Sequence, residues 1–221
     1  MNNSSNSVLD LSDTDLSREL LATVMEVESE SIANHSVRSF LFARLLATHL
    51  NVHAGKDYDE QILFAACILH DIGPSPIADG TERFEIDGAD HAALILQDHK
   101  LDASAIAEVW DAIALHTSPG ISERRSLLCH LTRGGVGLDF GLGADFITPD
   151  QAESIHRAYP RLEMEHALVH TIIEQAERTP SKAPRYSIAD TLIFERNATP
   201  HPTRIEAHAP YAQWGPTPTA S

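Results

Sequence analysis

Cationic side chains are scarce in this chain. Lys and Arg total 16 against 32 Asp and Glu over 221 residues, a formal net charge of -16. Binding to a nucleic-acid backbone draws its affinity from cationic neutralisation of phosphates, so this balance argues against a nucleic-acid partner. Cysteine is nearly absent: Cys67 and Cys129 both fall in apolar helical stretches and read as reduced core thiols, with one mutual disulfide as the other option. No apolar run approaches the length of a membrane span, and the polar start Met1-Asn2-Asn3-Ser4 does not resemble a signal peptide, so a cytoplasmic location away from membranes is expected. Strand-like alternation and internal repeats are also missing, which leaves helices as the building material. Histidine is the exception to this plainness, with thirteen copies.

The helical pattern starts near 13 with Leu16, Leu20, Leu21, Val24 and Val27 at spacings of three and four. A second helix is expected from a Ser31 cap to about 50, and a third from an Asp57 and Glu60 capping box to His70 and Asp71, where Gly73-Pro74 stops it. Further helices are expected over about 84–96, 103–116 and 121–140, with Gly134-Gly135 loosening the last of these. Thr148, Pro149 and Gln151 form a cap, first-turn proline and capping box for the next helix, and the last runs over 162–177. Residues 179–221 hold seven of the twelve prolines and little periodicity, so an extended tail is expected there, and residues 1–10 read as disordered. The chain thus divides into 1–10, a helical domain over 11–178, and the tail. The fold class is all-α, a bundle of about seven helices.

Four groups in apolar helices carry the chemistry. His35 lies near the apolar stripe of the second helix, His70 and Asp71 close the third, and Asp139 sits between Leu138 and Phe140 in a segment free of other charges from 134 to 143. A buried carboxylate is costly unless it is paired or ligating. Two imidazoles and two carboxylates suit zinc, iron(II) or manganese and leave coordination positions open, as catalysis requires.

The order His35, then His70-Asp71, then Asp139 on successive helices resembles the HD-domain superfamily of metal-dependent phosphohydrolases, over roughly residues 30 to 175. The strings Ile68-Leu69-His70-Asp71-Ile72-Gly73, Arg83-Phe84-Glu85-Ile86-Asp87-Gly88-Ala89 and Ala112-Ile113-Ala114-Leu115-His116-Thr117-Ser118-Pro119-Gly120 are similar to its cyanamide hydratase-like branch. The resemblance implies a divalent metal on His35, His70, Asp71 and Asp139. It places His116 beside the open coordination position, with Asp71 or His116 handling a proton during hydration of a nitrile such as cyanamide to urea. It also implies that His91, Glu85, Arg83 and Thr117 contact a small-molecule substrate, with Ile72, Phe84 and Leu115 as apolar walls. With His91 and His116 added, the order is also similar to dinuclear HD proteins, among them diiron oxygenases. A phosphohydrolase would need cations, for which Arg83, Arg124, Arg125 and Arg133 are the candidates. The oligomeric state stays open, with exchange of the Pro-rich tail between copies as one route to a homo-oligomer.

Overall fold

A computed structural model describes residues 7–11 and 13–198. The described residues form ten α-helices: α1 (Asp15–Val27), α2 (Glu30–His49), α3 (Glu60–Leu69), α4 (Phe84–Asp98), α5 (Ala103–Ala114), α6 (Ser122–Arg125), α7 (Leu127–Asp139), α8 (Pro149–Ala158), α9 (Met164–Arg178) and α10 (Ile188–Ala198). No β-strand occurs among them, so the all-α class holds.

The helix starts are set by side-chain caps that satisfy otherwise unpaired first-turn amides. Thr14 caps α1, and Thr148 with Gln151 forms the expected capping box of α8. Two caps fall two residues away from expectation. Ser29, not Ser31, accepts from the Ile32 amide, and Asp59 rather than Asp57 accepts from the amides of Gln61 and Ile62. Asp57 instead accepts from the His53 amide at 2.9 Å. The expected helix over 121–140 is two helices, because Ser126 turns extended to cap α7 through the Cys129 amide.

The main core gathers α1 to α5, α7 and α8 around Phe40, Phe42, Phe64 and Leu69. Its most extensive helix pair is α2 on α7. Gly135 makes that approach possible, since a Cβ there would collide with the Ser39 carbonyl, and Gly134 is likewise closed off by Leu46. These glycines therefore permit contact and do not loosen the helix, which runs through them unbroken.

A second, smaller core joins α9 and α10 to Ile32 of α2 and Phe84 of α4. Gln175 of α9 ties this layer down by donating to the Gly73 carbonyl at 2.9 Å, and buried Lys182 pairs with Asp79 and Asp87. The segment from 179 is thus not extended throughout: α10 forms because Ala189 and Leu192 bury against α9. At the other end, Val8, Leu9 and Leu11 pack on the main core, while the rest of the expected N-terminal disorder, like the tail over 199–221, lies outside the described residues.

Candidate metal centre

The expected site residues meet where the two cores adjoin. His35 is carried by α2, with Arg38 one turn further along the same face. His70 is the C-terminal cap of α3, and Asp71 follows as the chain breaks at Gly73-Pro74. Gly73 is obligatory, because a Cβ would collide with the Phe84 backbone; Gly88 faces it, its own Cβ position lying 3.0 Å from the Gly73 nitrogen. These two glycines press the start of α4 against the His70-Asp71 dyad.

Backbone and side-chain acceptors fix each imidazole. His70 Nδ1 donates to the Cys67 carbonyl at 2.8 Å, and His116, just beyond α5, donates from Nδ1 to the Ile113 carbonyl at 2.6 Å. His35 Nδ1 donates to Asp139 Oδ2 at 2.7 Å. With Nδ1 committed as donor, the neutral rings of His35 and His70 present Nε2 as a lone pair. These two Nε2 atoms lie 3.3 Å apart. Asp71 Oδ2 completes the triangle, 3.1 Å from His70 Nε2 and 3.6 Å from His35 Nε2, and it is buried without a hydrogen-bond partner.

Three converging lone pairs with no proton between them call for a cation. Tetrahedral bonds of about 2.1 Å separate neighbouring ligand atoms by about 3.4 Å, close to the spacings observed. The donor set therefore fits a divalent metal such as zinc or iron(II), held by His35, His70 and Asp71. Burial lowers the proton affinity of His35 and favours its neutral, ligating form. Burial would raise that of Asp71, but His70 and His116 outweigh it and hold the carboxyl well below the usual range.

Asp139 lies behind His35 and is held by Arg38. Arg38 grips both its oxygens, Nε on Oδ1 and Nη2 on Oδ2, each at 2.7 Å. Arg161 donates to its backbone carbonyl at 2.6 Å. Burial opposes ionisation, yet Arg38 and His35 keep Asp139 well below the ordinary carboxylate range. The metal-capable cluster among the described residues is His35, His70 and Asp71 without it. Its oxygens are committed to Arg38 and His35, so Asp139 stands behind the first imidazole.

The remaining expected residues separate into three groups. His116 and Thr117 line the cavity next to the cluster with His35, Asp71 and Phe84; its volume is about 450 Å³. His116 Nε2 points to Asp71 Oδ1 at 3.5 Å. Burial would lower the pKa of His116, but Asp71 and then Glu85 outweigh it and raise it. Glu85 and Arg83 do not line the cavity. Buried Glu85 instead accepts from Thr117 Oγ1 at 2.6 Å and pairs with Arg83, supporting the loop that carries His116. Ile72 and Leu115 are likewise outside the lining. His91 is half-buried on α4 and belongs to no metal-capable cluster among the described residues.

Three polar groups of the site escaped the sequence reading. Arg38 had a signal, a cation at i+3 from His35 just before the apolar run Phe40-Leu41-Phe42. Arg161 and Glu28 had none. Both Glu28 carboxyl oxygens are buried without a partner, and burial, then the charge of Asp71, push its pKa well above the usual range.

An all-helical bundle with a buried His, His-Asp triangle at its centre defines a metal-binding helical domain. The HD domain family matches residues 32–144, just over half of the chain, and the chain belongs to that family, whose members are in general metal-dependent hydrolases. A search of curated proteins found no match.

Proposed function

We propose that this protein is a metal-dependent enzyme that adds water to an electrophilic carbon of a small molecule, in the manner of the cyanamide hydratase-like branch, where a nitrile carbon becomes a urea or amide. The observation that carries this reading is the pairing of the His35, Asp71 and His116 end of the cavity with walls that are otherwise mainly apolar. A phosphoryl substrate would need cations to grip it. The arginines near the motifs are already paired: Arg83 with Glu85, Arg125 with Asp111, and Arg133 with Glu123, while Arg124 donates to the Gly120 carbonyl. Of these, only Arg133 lines the cavity.

A bound divalent metal supplies Lewis-acid activation of water near neutral pH. The chain's own groups divide the rest of the work. The two oxygens of Asp71 serve two tasks, Oδ2 facing the imidazole pair and Oδ1 facing His116 Nε2. His116, its proton affinity raised by Asp71 and Glu85, holds a proton on Nε2 at the cavity surface and delivers it to the nitrogen that becomes basic during addition. The oxygen of water bonds to the carbon, one C–N π bond opens to give an imidic acid, and the remaining O–H proton moves to nitrogen as the second C–N π bond gives way to C=O, so both hydrogens finish on nitrogen and nothing is oxidised or reduced.

The test is urea release from cyanamide by zinc- or iron(II)-loaded protein, run beside phosphate release from a nucleoside monophosphate. Metal-dependent urea release without phosphate release supports the reading. Phosphate release alone overturns it.

A further inference from the structure

We infer that the substrate is larger than cyanamide and carries an apolar alkyl or aryl body, which fills the cavity while its polar head meets Asp71 and His116. The chemistry of the head rests on the reading above; the apolar body rests on the cavity alone. Cyanamide has three non-hydrogen atoms and fills on the order of two or three water volumes of about 30 Å³ each. The cavity holds about 450 Å³. A substrate of that size would leave most of the space to water lying against Phe84, Val136, Phe140, Leu168, Ile172 and Ile188. Water on such walls is readily displaced by an apolar group, which gains affinity from the exchange. A benzyl-sized body removes that contact and leaves the head at the polar end.

The walls divide by origin. His35, Asp71, His116 and Phe140 lie within the segment 32–144 that matches the HD domain family. Leu168 and Ile172 of α9 and Ile188 at the start of α10 lie beyond it and add three apolar side chains to the lining. Leu142 extends the apolar surface outward, with 56% of it exposed. Arg133 Nε, buried without a partner on the same lining, offers a donor to an acceptor atom on the body. The family segment therefore handles the head and, through Phe84, Val136 and Phe140, shares the walls of the body with α9 and α10.

The experiment compares cyanamide with benzylcyanamide as substrates of the metal-loaded full chain, and urea with benzylurea as calorimetric ligands of the same protein. The expected results are a kcat/KM at least about tenfold higher for benzylcyanamide and at least about tenfold tighter binding of benzylurea. Ile188→Trp, at a half-buried position that tolerates bulk, lowers the benzylcyanamide to cyanamide ratio about tenfold. Equal binding of the two ureas, or a preference for cyanamide, overturns the inference. Tight benzylurea binding with neither cyanamide turned over leaves the apolar body standing and removes the hydration reading. Should Ile188→Trp fail to fold, the wild-type comparison of the two ureas decides alone.

Discussion

The Nε2 atoms of His35 and His70 face each other at 3.3 Å, and each ring has given its other nitrogen to an acceptor. The pair is held in a ligating form before any metal arrives, and the resulting repulsion in the metal-free protein is the clearest physical signature of the site. Chelation should therefore lower the melting temperature, and adding zinc or iron(II) back should restore it in a concentration-dependent way. At free metal a hundredfold above Kd the stabilisation is about 2.7 kcal/mol, readable by calorimetry.

Asp139 separates two views of the centre. As the residue behind His35, its Asn variant should retain metal with an affinity about 10–100-fold weaker, measured by competition with a chromogenic chelator. Complete loss of binding would make it a direct ligand. Arg38→Met, which strands the Asp139 carboxylate in the core, should cost about 3–5 kcal/mol in urea unfolding.

His116 lines the cavity and lies against Asp71 and His70 without being a member of the metal triangle. His116→Ala should reduce kcat by about 10²–10⁴-fold while the metal content stays at the wild-type level, a combination read by parallel kinetics and elemental analysis. Loss of metal with loss of activity would assign His116 to the ligand set.

Stability against pH carries two opposed contributions. Asp139 has a depressed pKa when folded, so its contribution is present above about pH 3.9, the unfolded value, and is lost as the pH falls through the folded one. Glu28 has a raised folded pKa, so its contribution is present below about pH 4.3 and is lost as the pH rises through the folded value. Glu28→Gln should therefore gain stability relative to wild type as the pH rises above that range, seen as a urea midpoint that exceeds the wild-type one by more at pH 8 than at pH 4. An unchanged difference between the two pH values would place Glu28 in solvent.

The metal triangle was legible because its residues break an apolar pattern: His70 and Asp71 end a core helix at Gly73-Pro74, and His35 sits beside an apolar stripe. Asp139 was recognised as buried for the same reason. Its Arg38 fork was not foreseen, and ligand and ligand-orienting carboxylates leave the same mark in one dimension. Ser31 and Asp57 show the same limit for helix starts. Each is a good capping residue, and tertiary packing chose Ser29 and Asp59 two positions away. Gly134 and Gly135 read as weakness where they in fact admit α2, because a missing Cβ has meaning only against a neighbour. The helix α10 was hidden by the prolines around it.

The most direct test of the centre is metal content per chain, by elemental analysis, of wild-type protein and of His70→Ala purified under identical conditions. One zinc or iron per wild-type chain and next to none in His70→Ala is the result predicted by a triangle of His35, His70 and Asp71. Two metals per wild-type chain, or an undiminished content in His70→Ala, would contradict it.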